Sequence, residues 1–381
     1  MEKYIRELDS DLQSLTLNAV RSTFAHVYYT WRVLRHHFDR DKALQAYGSV
    51  WDAIVLTQIS QSLQALGINE VKDIATLGRI INYSFSANPD LYETIENTPN
   101  CHIGHIHWCV NPAYGPSDCT FNRHSYYREA EVPLTIDPYI RRMVETAKKM
   151  GLRDDVEWDV PVGRCRDGNA SFCQILVWKK GTPKPKVVDP PASEKVFVED
   201  QMGDEEPLIF ILKKQGKTLE EFGPGAFTSF FFVDMATYDG FEKTLGKEKA
   251  SDIYTKLWLT FPLNWVREAR LELELGRVTN LEDLAKIVVF CEKKRYVPYK
   301  MVSATGNQVT LIGKIDPFAE IPVSILDKKL GDSYFKAVRL ADGEFIKQVL
   351  VEANMADKAE AIAKKRLVDG DDRNEIVIQQ R

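Results

Sequence analysis

The apolar positions of residues 10–66 recur every three or four residues, a spacing typical of amphipathic helices. Among them are Leu12, Leu15 and Val20, and later Val50, Ile54, Leu63 and Leu66. Gly67 follows the last of them, and glycine there favours the left-handed conformation that ends a helix. The pattern further predicts a helix over residues 70–87, a strand over 101–110, a helix over 138–150 and a strand over 171–178.

The second half of the chain repeats this order of elements. Its pattern predicts helices around 235–275 and 279–293, a strand over 308–316, a helix near 355–367 and a last strand over 374–379. Short matches occur in the same order about 200 residues apart, which indicates an internal duplication. This alignment pairs His105 with Lys314, His107 with Asp316 and Cys173 with Asn374. Chance similarity between two lobes of the same class is the alternative.

Helices mixed with antiparallel strands predict an α+β fold of two pseudo-repeated lobes, each with helices packed on an antiparallel sheet. Four prolines among residues 183–191 exclude a helix or a central strand there. We therefore predict a Cys/His-bearing lobe at residues 1–180, a proline-rich linker at 181–215 and a second, degenerate lobe at 216–381. A long surface loop inside one domain is the alternative to the linker.

The charge and hydropathy of the chain indicate which classes of partner and which cellular location to expect. The 381 residues hold 50 Lys and Arg against 55 Asp and Glu, a formal net charge of −5. Without a basic excess to neutralise phosphates, we expect no nucleic-acid partner. No apolar run approaches 18 residues and no secretory signal is recognisable, so we expect no membrane partner and a cytoplasmic protein. A small-molecule substrate is expected, and a homo-oligomer is left open.

Cysteine and histidine concentrate in the first half of the chain. Five of the six cysteines fall between residues 101 and 173, and no histidine follows His124. In the cytoplasm these cysteines are expected to be thiols or metal ligands rather than disulfides.

The predicted strand over 101–110 gathers this chemistry on one face. Side chains alternate along a strand, so Cys101, His105, His107 and Cys109 share a face, with His105 and His107 adjacent on it. Two imidazoles at that spacing can reach one metal ion, and zinc or iron is the cofactor that such ligands select. His124 is a further candidate metal ligand.

Later residues could complete a catalytic site. Asp167 lies in a turn that leads to the strand beginning near Cys173, and that strand could lie beside the first. A metal would supply a Lewis acid or a hydroxide. Alternatively, Cys109 or Cys173 would act as a thiolate nucleophile without a cofactor, oriented by His105 or Asp167.

Simpler structural roles compete with these readings. Buried free cysteine is common and behaves as a small apolar residue, and a lone histidine is usually a hydrogen-bonded core or surface residue. A purely structural zinc site is a further alternative, although the spacing matches no standard zinc ribbon or finger. The sequence contains no Walker A loop, no dinucleotide-binding glycine motif and no nucleophile elbow.

One known family resembles both halves of the chain. A glycine-containing turn, a short gap, a cysteine and an apolar strand, seen at residues 165–175 and in altered form at 367–378, resembles the L-2-amino-thiazoline-4-carboxylic acid hydrolase-like family. The resemblance extends to Cys109 at the end of its strand and to Cys119. It implies a relation to four-vinyl-reductase and TRAPP-like domains, in which a helical layer and an antiparallel sheet enclose a ligand pocket.

The chain departs from this family pattern in both halves. Asn169 stands where the family has Asp, Asn374 replaces the cysteine, and the second half has no equivalent of Cys109. We therefore expect an inactive second lobe and a Cys/His site in the first. The expected function is a small-molecule hydrolase or lyase acting on a C–N or C–S bond. A non-catalytic small-molecule sensor or a protein with a structural zinc site are the alternatives.

Overall fold

The computed structural model describes residues 1–108, 136–153, 155–162, 172–188, 199–321 and 328–381. Three of the candidate site residues, Cys109, His124 and Asp167, lie outside these ranges.

Long helices form the first part of the chain: α1 (Glu2–Glu7), α2 (Leu12–His37), α3 (Arg40–Leu66) and α4 (Ile74–Ala87). Asp11, Asp39 and Asp73 precede α2, α3 and α4, and each side chain accepts a backbone N–H of the first turn. Gly67 ends α3 at a φ of 62°, in the left-handed region, as predicted. The next elements are β1 (Leu91–Thr98), β2 (Cys101–Trp108), α5 (Ile136–Lys149), β3 (Val156–Val162) and β4 (Cys173–Lys179).

The second half is also mostly helical before its strands begin. Its helices are α6 (Glu199–Met202), α7 (Pro207–Lys214), α8 (Leu219–Leu245), α9 (Lys247–Trp258), α10 (Pro262–Glu272), α11 (Leu281–Lys294), α12 (Pro317–Glu320) and α13 (Lys328–Glu352). Its strands are β5 (Lys300–Ala304), β6 (Gln308–Gly313), β7 (Ala359–Lys365) and β8 (Asn374–Gln380).

Two separate four-stranded sheets carry the same topology. The strand orders are β1-β2-β4-β3 and β5-β6-β8-β7, and every pairing is antiparallel. Each sheet packs against helices, α4 and α5 on the first and α11 and α13 on the second. The prediction of an α+β fold with two pseudo-repeated units is confirmed.

The helix predicted near residues 355–367 is wrong, because residues 359–365 form strand β7. The segment is rich in Ala, Lys and Glu, which favour helices in isolation. Its backbone instead pairs with β8 along almost its whole length, from Ala359 opposite Gln380 to Lys365 opposite Glu375. Tertiary pairing therefore overrides local propensity here.

The strand register corrects the alignment of the two halves. Cys173 and Asn374 are the first residues of β4 and β8, and they pair with Ile106 and Gly313. Ile106 and Gly313 are therefore equivalent positions. The residue before each makes His105 equivalent to Ile312, and the residue after each makes His107 equivalent to Lys314. The sequence alignment of His105 with Lys314 and His107 with Asp316 was thus displaced by two residues.

Helix α8 joins the two halves by packing on both α2 and α3. Buried residues of the first fifty positions share one hydrophobic core with the second sheet and its helices. A separate core lies between the first sheet, α4 and α5. Within the predicted linker, α7 buries Leu208, Ile211 and Leu212 against Leu17 and Val20 of α2. The lobe boundaries at 180 and 215 stay predictions.

No helix in the described part of the chain is long and apolar enough to cross a membrane.

Candidate metal centre

Glu93, His105 and His107 converge on one face of the first sheet. One potential ligand atom from each lies within 4.8 Å of the other two. The alternation of side chains along β2 places both histidines on this face, and the pairing of β1 with β2 sets Glu93 directly opposite His105. Gln174 of β4 lies opposite His105 on the other side, so Glu93, His105 and Gln174 form a row across three strands.

The three groups differ in their access to solvent. The side chain of Glu93 is 46% exposed, whereas His107 is largely buried and His105 is fully buried. The Nε2 atom of His107 lies 3.0 Å from a carboxylate oxygen of Glu93. The His105 ring lies against Phe172, with ring centres 4.6 Å apart. The cluster therefore has a dry interior and one open edge at Glu93.

One ring nitrogen of His105, Nε2, has a polar neighbour, and the other, Nδ1, has no hydrogen-bond partner among the described residues. The side-chain amide nitrogen of Gln174 lies 2.7 Å from Nε2 of His105 and also donates to the carbonyl of Val188 at 3.1 Å. Nδ1 of His105 is buried and has no hydrogen-bond partner among the described residues. A buried polar atom left in this state costs about 1–3 kcal/mol. Coordination of a metal by Nδ1 would remove that cost.

Electrostatics keep His105 in the form that binds metals. Burial, and to a smaller extent the nearby His107, lower the pKa of His105 to about 4, while Glu93 and a hydrogen bond from the ring to the Val188 carbonyl partly oppose this shift. His105 is therefore neutral at pH 7, with a lone pair on one ring nitrogen.

The ligand set determines which metals fit. Two imidazoles and one carboxylate make up the protein ligands of catalytic zinc sites that keep a position for water, and they also suit non-haem iron. Cys101 lies on the same strand but four residues from His105, about 13 Å away at the strand rise of about 3.3 Å per residue. The structure thus does not bring the predicted ligand Cys101 to this cluster.

Cys173 does not meet His105 either. It precedes Gln174 on β4, so its side chain points to the opposite face, where it is buried with Ile106, Ile175 and Val177. The predicted pairing of this thiol with His105 in one site is therefore not what the sheet geometry provides.

His102 shows what a structural histidine looks like in the same strand. It is fully buried on the helix-packed face, with Nε2 2.7 Å from the Tyr92 hydroxyl and Nδ1 3.1 Å from the side-chain oxygen of Asn97. Both ring nitrogens of His102 have hydrogen-bond partners, whereas Nδ1 of His105 has none among the described residues. Gly78 of α4 lies so close that a Cβ there would overlap His102 and Asn97.

Sequence reasoning missed Glu93 and Gln174. Glu93 lies in β1, whose mostly polar sequence gives a weak strand signal. The turn residues Pro99 and Asn100, directly before the predicted strand, are the local signal that could have indicated a preceding strand. No local signal marks Gln174, because its role depends on the register of β4 against β2.

The second sheet lacks this ligand set. At the positions equivalent to Glu93, His105 and His107 it has Lys300, Ile312 and Lys314. Glu375 takes the place of Gln174. An aliphatic residue and two ammonium groups offer no ligand.

A cavity of about 1170 Å³ lies on the other face of the first sheet, between α2, α3 and α8. Cys173 and Ile106 contribute to its walls from the sheet. Phe24, Ile54 and Phe222 are among the apolar residues that line it from the helices. The cavity and the Glu93/His105/His107 cluster therefore lie on opposite faces of β2 and β4.

Comparison with known proteins yields no match, either to a protein-family model or to a curated protein sequence.

Proposed function

We propose that this protein is a metal-dependent hydrolase of small molecules, with zinc held by Glu93, His105 and His107. The observation that carries the proposal is the convergence of the three ligand atoms beside the unpartnered, buried Nδ1 of His105. The open edge at Glu93 supports a catalytic rather than a closed structural site, because water and substrate need access to the metal.

The chemistry follows from the ligand set. Glu93, His105 and His107 would hold the zinc, which would supply a Lewis acid and a source of hydroxide near neutral pH. The residues around it hold the ligands: Phe172 packs against His105, and Gln174 fixes its ring. We propose a C–N or C–S bond as the target, on the resemblance of residues 165–175 to the thiazoline carboxylate hydrolase-like family.

Metal content and turnover test the proposal together. We expect about one equivalent of zinc per chain in the wild type, and loss of zinc in His107→Ala. Lys314→Ala, at the equivalent position of the second sheet, is the matched control and should keep the metal. Hydrolysis of a panel of cyclic thiazolines, amides and thioesters should stop on chelation and return with zinc. Full metal binding by His107→Ala, or turnover indifferent to chelation, would contradict the proposal.

The cavity supports a second candidate function, the binding of an apolar small molecule without catalysis. Its volume exceeds what most drug-sized ligands need, and its walls are mostly apolar. Ser229→Trp would narrow the cavity, whereas Glu220→Trp lies on the same helix outside its lining. An environment-sensitive apolar dye should bind the wild type and the Glu220 variant and bind the Ser229 variant more weakly. Equal binding to all three would exclude the cavity as the site.

A further inference from the structure

We propose that the cavity beside the first sheet binds an uncharged planar ring that carries a hydrogen-bond acceptor. The ring would lie against Trp51, with its acceptor at the hydroxyl groups of Ser84 and Tyr139. This inference rests on the second candidate function, ligand binding by the cavity, and does not depend on the metal centre. The second half of the chain shows what fills the equivalent space there.

The helices of the two halves identify the equivalent positions. Helices α2, α3 and α4 begin the same number of residues before α8, α9 and α11, respectively. Trp51 of α3 is therefore equivalent to Trp258 of α9. Asn88, the residue after α4, is equivalent to Arg295, the residue after α11. Both tryptophans line a cavity, of about 1170 Å³ in the first half and about 1470 Å³ in the second.

The two cavities differ in depth. That of the first half reaches the sheet and α5, since Cys173 and Tyr139 line it. Among the described residues, none of β6, β8 or α13 lines the cavity of the second half. Two planar groups lie against Trp258 there. The guanidinium carbon of Arg295 is 4.9 Å from the ring centre of Trp258, and the ring centre of Phe230 is 6.4 Å from it.

Smaller side chains replace both planar groups in the first half. Asn88 stands at the position of Arg295, and Thr23 of α2 stands at the position of Phe230. The space that these groups fill in the second half is therefore open beside Trp51. A planar ring has the matching shape, and it can pack on the indole in an offset-stacked or edge-to-face arrangement.

The residues that neutralise Arg295 have no acidic equivalents. The guanidinium pairs with Glu292 at 3.1 Å and with Asp342. Phe85 of α4 is equivalent to Glu292. Tyr139 is equivalent to Asp342, because they lie the same number of residues before the ends of α5 and α13. A cation in the first cavity would lack these partners, and a buried charge without partners is costly.

An anion is disfavoured as well. Among the described residues that line the cavity, Asp90 and Glu221 are acidic and Lys217 is basic. The ammonium group of Lys217 already donates to the carbonyl of Ser86, and Asp90 is buried. The lining therefore favours an uncharged ligand.

The floor of the cavity offers one hydrogen-bond donor. Ser84 and Tyr139 are both buried, and their hydroxyl groups are hydrogen-bonded to each other. That bond uses one of their two protons, and the other has no acceptor among the described residues. Arg295 contacts both Trp258 and Asp342, so a ring in the corresponding place also reaches these hydroxyls. A carbonyl oxygen or a ring nitrogen would accept the remaining proton.

Equilibrium dialysis of two uncharged probes tests the inference. 2-Acetonaphthone has a planar ring and a carbonyl acceptor, and 2-ethylnaphthalene has nearly the same shape without the acceptor. The double variant Ser84→Ala/Tyr139→Phe loses both hydroxyls. It should bind 2-acetonaphthone about two- to tenfold more weakly than the wild type, the effect of one hydrogen bond, and bind 2-ethylnaphthalene equally well. Ser62→Ala is the matched control, because Ser62 also lines the cavity but already donates to the Gln58 carbonyl at 2.7 Å.

A second variant tests the place of the ring. Thr23→Phe puts the side chain of the second half into the first cavity, and it should weaken the binding of both probes by at least about tenfold. Gln13→Phe, on the same helix outside the lining, should bind both probes like the wild type. The anion 2-naphthoate should bind the wild type more weakly than 2-acetonaphthone does.

Three results would overturn the inference: wild-type affinity for 2-acetonaphthone in the folded double variant, wild-type affinity for both probes in Thr23→Phe, or tighter binding of 2-naphthoate than of 2-acetonaphthone. A wild type that binds neither probe but still binds the apolar dye would also overturn it and would leave ligand binding by the cavity intact. A wild type that binds neither the probes nor the dye would instead overturn the second candidate function, and this inference with it.

Discussion

Asp234 is a buried carboxylate whose ionisation should lower the stability of the whole fold. It lies on α8 with no exposed surface, and one of its oxygens accepts hydrogen bonds from the hydroxyls of Tyr254 and Tyr334, both at 2.6 Å. The other oxygen lies 3.4 Å from Nε2 of the buried His26. The perturbation is Asp234→Asn, which keeps the shape and removes the charge.

The magnitude follows from the pKa of this group. Burial raises the pKa of Asp234 to about 6 from 3.8, and the two tyrosine hydrogen bonds oppose the rise. A shift of roughly two units corresponds to about 3 kcal/mol, at about 1.36 kcal/mol per unit. Because the folded pKa is the higher one, the contribution to stability is fully present below about 3.8 and is lost as the pH rises through about 6.

The variant should therefore gain most at high pH. Its amide oxygen can accept from both tyrosines, and its NH₂ group can donate to His26. We expect Asp234→Asn to be more stable than the wild type by about 3 kcal/mol at pH 8 and by about half of that at pH 5. Burial lowers the pKa of His26 to about 3, which opposes stability at low pH in both proteins and so cancels from the comparison.

Urea unfolding followed by far-ultraviolet circular dichroism at pH 5 and pH 8 measures this difference. Asp239→Asn, five residues further along α8, is the control. Asp239 forms an ion pair with the exposed Lys243, and its substitution should change stability by less than about 1 kcal/mol at both pH values. A destabilised Asp234→Asn at pH 8, or a gain that does not depend on pH, would refute the reasoning.

Three further predictions concern packing and reactivity. Gly78→Ala should lower the free energy of unfolding by about 1–3 kcal/mol in urea titrations, because a Cβ would overlap the buried His102 ring and the Asn97 side chain. Gly48→Ala, inside α3 with free space around it, should instead raise the free energy of unfolding by up to about 1 kcal/mol. Burial raises the pKa of the Cys291 thiol, so iodoacetamide should label it, as read by mass spectrometry, only after unfolding. Asn374→Ala breaks hydrogen bonds to the Leu367 N–H and to buried Asp316, so its melting temperature should fall while its zinc content stays that of the wild type.

The helices and the first site strand were predictable because their signals are local. Apolar residues at helical spacing marked α4 and α11 to within a few residues, and Gly67 marked the end of α3. Residues 359–365 were predicted as helix because the same local reasoning ignores the partner strand β8. Strand β1 was not predicted, because its sequence has a weak apolar pattern and its place in the sheet depends on pairing with β2.

In the candidate site too, the local arrangement was predictable from the sequence and the contacts between strands were not. That His105 and His107 share a face follows from their spacing on one strand, and the sequence alone determined it. Which residues lie opposite them is a matter of register, and a pairing moved by one residue would turn every side chain of the neighbouring strand to the other face. Only the tertiary structure could therefore bring Glu93 and Gln174 to His105 and send Cys173 to the far side of the sheet.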